Sequence, residues 1–204
     1  VNKVTEIPRH SADFPASLKH CSAQSTPVSL YALGNLDILK QKTLALFCSI
    51  RCPGTIILQV FDFIKNIKQT KITIISGFHS PMERECLEIL LRGKHPVISC
   101  PARALQEMKM RWEYKKPLED GRLLFLSPFT ENMRRQSEQN AIERNYFVAA
   151  LADKIFVPYA APESKTEQFY REINLLGKAI YTLKNELNKK LIELVRNQAN
   201  IEGR

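Results

Sequence analysis

Apolar residues along the chain fall into two alternating kinds of run. Thr43 to Ser49 (TLALFCS) is short and almost wholly apolar, as in a strand buried on both faces. Between Thr55 and Gln69, residues Ile56, Ile57, Val60, Phe61, Ile64 and Ile67 form one stripe of an amphipathic helix. Ile72 to Ser76 (ITIIS) has the β-branched run of a parallel strand covered on both sides. The next helix is expected to take Ser80 as its N-cap, Pro81 as its first helical residue and Glu83 as the reciprocal capping-box partner. Gly93 stands where that helix should stop. Pro96 to Cys100 makes a third strand, Arg103 to Met110 a short helix, and Arg122 to Ser127 a fourth strand. Glu138 to Ala152 is helical, and Lys154 to Tyr159 is a fifth strand. A second capping box, Ser164-Lys165-Thr166-Glu167, opens a helix running to about Leu176. Ala179 to Thr182 is a last short strand, and Asn185 to Asn197 an amphipathic terminal helix.

Strands alternating with helices predict an α/β fold, a parallel sheet with helices on both faces, in a single domain. Residues 1–42, punctuated by Pro8, Pro15 and Pro27, read as a lead-in packed on the domain at 43–183. Residues 184–200 carry the terminal helix. Ile201-Glu202-Gly203-Arg204 spells a Factor Xa cleavage site and is expected to be a tag remnant.

Composition agrees with a folded chain: of 204 residues, 44% are hydrophobic and 25% charged. No apolar run is long enough to span a membrane, and the N-terminus has no apolar export segment, so a cytoplasmic protein is expected. The formal charge of +9 favours a polyanionic partner, with nucleic acid ahead of an acidic membrane surface. The five cysteines, Cys21, Cys48, Cys52, Cys86 and Cys100, are odd in number and lack zinc-finger spacing. They are expected to be free thiols in a reducing compartment.

Ligands of open parallel sheets bind beyond the carboxyl ends of the strands. Three loops leave such ends. One contains Ser49 and Arg51, one runs Gly77-Phe78-His79-Ser80, and one contains Ser164, Lys165 and Thr166. Each leads to a helix start, whose free N–H groups and positive dipole end suit a phosphate. A Ser-x-x-Glu box is also an ordinary helix start, and its serine serves its own backbone. Convergence of the three loops on one sheet edge would favour the ligand role. A further segment sets Arg134, Arg135, Arg144 and Asn145 near Tyr146 and Phe147. Cations there could hold phosphates and aromatics could stack on bases, although a solvated helix face reads equally well. His79 is the only histidine in these loops and suits loop packing better than catalysis. No nucleophile elbow, Walker loop, Gly-x-Gly-x-x-Gly fingerprint or metal-spaced cluster is present, so no catalytic residue, metal or cofactor is expected.

The same residues resemble the DNA-processing protein A family (DprA, also called Smf). Asp13-Phe14-Pro15-Ala16-Ser17-Leu18 is similar to its Tyr-Pro-x-x-Leu lead-in, and Leu30 to Leu36 to its Leu-Tyr-x-x-Gly segment. Phe47-Cys48-Ser49-Ile50-Arg51 stands at its Val-Gly-Ser-Arg, with Cys48 for the glycine and the arginine one place later. Ser76 to Glu83 stands at its Ser-Gly-x-Ala-x-Gly-Ile-Asp, with Pro81 for the second glycine and Glu83 for the aspartate. Leu123 to Pro128 resembles the strand before its Ser-Glu-x-Pro. Glu143-Arg144-Asn145 resembles the Arg-Asn of its Pro-Arg-Arg-Asn-Arg, and Ala161 to Glu167 occupies its Ser-Gly-Ser-x-x-Thr-Ala loop.

The resemblance implies a Rossmann-like domain that binds single-stranded DNA in DNA processing, natural transformation or recombination. It also implies a homodimer and a recombinase partner, with no dedicated catalysis. Two other readings stay open. One is a nucleotide hydrolase of the related phosphoribohydrolase type, with Glu83 or Glu167 as acid/base groups. The other is a domain that senses a nucleotide. DNA and a small nucleotide are not separated by the sequence.

Overall fold

A computed structural model describes residues 3–19, 27–67 and 70–194. The elements are β1 (Thr5–Pro8), α1 (Ala16–Lys19), β2 (Ser29–Gly34), β3 (Lys42–Cys48), α2 (Gly54–Ile67), β4 (Ile72–Ser76) and α3 (Pro81–Arg92). They continue as β5 (Val97–Ser99), α4 (Trp112–Glu119), β6 (Leu123–Ser127), α5 (Glu138–Leu151), β7 (Lys154–Tyr159), α6 (Lys165–Ile173) and β8 (Ile180–Tyr181). Of the expected terminal helix, Glu186–Asn188 forms a 3-10 turn and residues 189–194 are helical, while 195–197 lie outside the described residues, as do Cys21 and 201–204.

One eight-stranded sheet runs β1-β2-β6-β5-β4-β3-β7-β8. From β6 to β8 every neighbour is parallel. The expectation of a parallel sheet needs one addition: β1 and β2 join antiparallel at the β6 edge. The segment before Thr43 thus supplies two strands of the same sheet. Pro8 sits in the outermost of them, where a missing N–H costs no ladder bond.

The parallel part of the sheet starts at β3, steps outward through β4 and β5 to β6, then returns through α5 to place β7 on the other side of β3. Right-handed crossovers place helices before and after this reversal on opposite faces. Accordingly Ile56, Val60, Met82, Cys86 and Leu90 of α2 and α3 pack with Leu44, Leu46, Ile74 and Phe125 in one core. Phe147, Val148, Leu151, Tyr170 and Ile173 of α5 and α6 pack with Ala45, Phe47, Ile75 and Ile98 in the other.

The short helix expected at Arg103–Met110 does not form. Glu107 takes a left-handed φ of 56°, and the Ala104 N–H donates to the Met133 carbonyl, so this stretch is a loop pinned to its neighbour. A helix forms instead at Trp112–Glu119, outside the periodic pattern and despite an internal Pro117.

Candidate nucleic-acid interface

Because β4, β3 and β7 are neighbours, the loops leaving their carboxyl ends lie side by side. The reversal of strand order between β3 and β7 is the topological switch point where open α/β sheets gather ligands. Side-chain bonds tie the loops together. Ser49 is buried, its Oγ accepts the Ala161 N–H at 2.9 Å, and it lies 3.4 Å from Ser164 Oγ. The Cys48 N–H, at the end of β3, donates to Glu83 Oε1 at 2.8 Å.

The Gly77–Ser80 loop does not offer an empty amide cradle. The Phe78 N–H donates to Ser76 Oγ, while His79 and Ser80 N–H donate to Glu83 Oε2 at 2.8 and 3.2 Å. Glu83 is only 6% exposed and its carboxylate accepts three backbone N–H groups from two loops. The chain's own anion therefore stands where a phosphate was expected. The second box behaves likewise: Glu163 N–H donates to Glu167 Oε2 at 2.6 Å, and Ser164 Oγ accepts the Glu167 N–H.

Both glutamates of the hydrolase reading are thus engaged in structure. Burial pushes the Glu167 carboxyl up, but Lys190, the Glu163 N–H and Arg171 outweigh it and hold the group at about 2. A carboxyl held that low is a poor proton donor at neutral pH. A folded value below the ordinary 4.5 stabilises the fold above that pH, and the stabilisation is lost as pH falls towards about 2. Glu167→Gln is expected to flatten this acid limb of a melting-temperature profile while lowering stability at neutral pH. An unchanged acid limb would show that Glu167 does not carry it.

Arg144 is 4% exposed, so it is not a free surface cation. Its Nη1 donates to the Cys100 carbonyl at 3.0 Å and its Nε to Asn145 Oδ1 at 2.8 Å. The guanidinium lies flat over Gly77: a Cβ built there would fall 1.5 Å from Nη1. Burial pulls the Arg144 pKa down and the nearby Glu83 charge opposes that. Gly77 is needed here for a side chain's approach, where the sequence suggested a phosphate's. Phe78 is buried at a φ of 48°, and Ser80 is buried as N-cap to Glu83 N–H. Phe147 is in the core, and the Tyr146 ring packs edge-on against Phe169 while its hydroxyl donates to Glu172.

The remaining candidates reach solvent. Arg51, His79, Arg134, Arg135 and Lys165 are exposed, and Thr166 is half-buried. Arg134 pairs with Glu107 and Lys165 with Glu138, which brings the starts of α5 and α6 together. Arg51 and Arg135 have no ion pair among the described residues. Cys86 and Cys100 are buried free thiols pushed up to about 12 by burial, so they are uncharged beneath the rim.

An open groove of ≈ 1210 Å³ continues from this rim along α3 and α4. Gly77, Phe78, Ser99, Arg103 and Gln136 line its upper end. Arg84, Arg103, Lys109 and Trp112 belong to it and were not among the expected site residues. For Trp112 a signal was available: Arg111-Trp112 places a cation beside an aromatic, as Arg144 to Phe147 does.

Among the described residues no group of three or more His, Cys, Asp or Glu could hold a metal ion, and no helix is long and apolar enough to cross a membrane. No curated protein sequence matches the chain. Its fold is shared by solved structures, among them two of DNA processing protein A. DNA processing protein A from Streptococcus pneumoniae superposes with a TM-score of 0.77 at 18% identity, covering 96% of this chain and 69% of that one. DNA processing protein A from Helicobacter pylori, described for its single-stranded DNA binding mode, gives 0.76 at 18% identity, covering 96% and 89%. The family model of DNA recombination-mediator protein A matches residues 5–201, nearly the whole sequence, and the chain belongs to that family.

Proposed function

We propose that the chain binds single-stranded DNA along the carboxyl edge of its sheet and acts as a recombination mediator without catalysis of its own. The observation that carries this reading is the joined rim at the β3–β7 switch point, where Arg51 is exposed, with Arg135 exposed on the segment between β6 and α5, neither having a carboxylate partner among the described residues. With the amide cradles filled by Glu83 and Glu167, phosphates fall to side-chain cations: Arg51 and Arg135 first, then Arg134 and Lys165 by exchange from their ion pairs. Ser49, Gly77, Phe78, Ser80, Arg144, Asn145, Ser164 and Thr166 hold the rim's shape. His79 faces solvent at its edge.

Phosphate contacts release counterions, so affinity should fall with salt at a log–log slope of roughly −0.7 per phosphate held on a single strand. In a filter-binding titration, Arg51→Ala and Arg135→Ala are each expected to weaken binding and reduce the slope by about 0.7. Absence of oligonucleotide retention at low salt would remove the reading. A homodimer and a recombinase complete it as partners, with the cytoplasm as the place of action; light scattering of the purified chain tests the first.

A further inference from the structure

Trp112 is the chain's single tryptophan and is 79% exposed, at the start of α4 on the wall of the α3–α4 groove. No other ring packs on it among the described residues. A large aromatic left in water has unspent apolar surface and a free π-face, unlike Tyr114 beside it, which packs on Phe125.

The groove's charge is one-sided. Eight lysines and arginines line it against three carboxylates. All three carboxylates are already paired inside it: Glu88 with Arg92, Glu113 with Arg111, and Asp120 with Lys116 and Arg122. Arg84, Lys94, Arg103 and Lys109 line the same groove with no ion pair among the described residues. Uncompensated cations beside an exposed aromatic are the two elements of a single-strand track, one holding the backbone and the other a base.

We propose that the α3–α4 groove is a second track for single-stranded DNA, with Trp112 stacked on a base and Arg84, Arg103 and Lys109 on the flanking phosphates. This rests on the function proposed above and extends it beyond the switch-point rim. The two are continuous, because Gly77 and Phe78 of the rim loop after β4 also line the groove. The twelve residues of α3 give the groove wall a length of roughly 18 Å, about five stacked nucleotides at about 3.4 Å each. A strand leaving the rim at Arg135 could therefore run down the groove towards Lys94.

As the sole tryptophan, Trp112 reports on the groove directly. Titration of the full chain with oligothymidylate at low salt is expected to quench its fluorescence saturably, in step with filter retention, and added salt should reverse both. Trp112→Ala is expected to weaken retention about tenfold, since a stacked base is worth about 1–3 kcal/mol. Trp112→Phe should recover part of that loss. Lys109→Glu should lower both retention and quenching with Trp112 intact. Retention without quenching, and unaltered by Trp112→Ala, overturns the groove track, leaves the rim reading standing and assigns the tryptophan surface to a protein partner. No retention by the wild-type chain overturns both.

Discussion

Glu83→Ala is expected to lower the melting temperature by about 10 °C, an effect far larger than a single helix cap would give. The cap accounts for about 1 kcal/mol. The remainder comes from the two loops that the same carboxylate joins. Cys48 N–H lies at the end of a central strand and His79 N–H in the neighbouring loop, and both lose their acceptor together with Ser80 N–H. An orphaned buried donor costs about 1–3 kcal/mol; with the His79 N–H only part-buried, the three, the cap's Ser80 N–H among them, fall towards the lower end of that range and amount to about 3–5 kcal/mol. For a chain of this size that is the expected shift in melting temperature. Glu83→Gln keeps one acceptor oxygen and should lose about half as much.

The same substitution tests why the cradle is closed. Without Glu83, three N–H groups converge on an empty site suited to an anion. Inorganic phosphate is then expected to raise the melting temperature of Glu83→Ala by a few degrees relative to chloride at equal ionic strength, and to leave the wild type unchanged. A variant indifferent to phosphate would show that the loops collapse once the carboxylate is gone.

The second large effect concerns Gly77. Gly77→Ala places a methyl group within 1.5 Å of the Arg144 guanidinium and 1.9 Å of its central carbon. The side chain must leave, and the Cys100 carbonyl loses its charged donor. A hydrogen bond to a charged group is worth about 1.5–3 kcal/mol, and the displaced cation has little room in the core, so a loss of about 3 kcal/mol is expected. The two positions compete for one space. The double variant Gly77→Ala, Arg144→Ala should therefore cost clearly less than the sum of the single variants in chemical denaturation. Additive costs would show that the guanidinium does not need the glycine.

What the sequence disclosed follows the range of the interactions involved. Ser80 and Glu83 are three residues apart, so their capping box and the start of α3 could be read directly, as could the bounds of β4 and β7. The second role of Glu83 depends on Cys48, 35 positions earlier, and becomes visible only when β3 and β4 are neighbours. Arg144 was legible as a cation but not as a buried one, because its fate is set by Gly77 and Cys100 on other elements. The stretch Arg103–Met110 has helical composition, yet Ala104 is held by Met133 and the backbone at Glu107 turns left-handed. Tertiary bonds outweighed a weak local preference there. That the three loops leave one edge of the sheet was deducible, because alternating strands and helices imply parallel strands; that β4, β3 and β7 are neighbours was not, because alternation does not fix strand order. The groove was not, because it needs the position of α4, which has no clear periodic signal.

The rim is not the only basic surface. At the opposite end of the sheet Lys42, Lys71 and Lys94 line a second pocket beside His95. Photocrosslinking of iodouracil-substituted oligonucleotide to the chain, followed by mapping of the modified peptides, separates the two ends. Crosslinks are expected in peptides containing Arg51, Arg135 and Trp112. Crosslinks confined to peptides around Lys42 and Lys71, or none at a concentration that saturates filter retention, would contradict binding at the carboxyl edge.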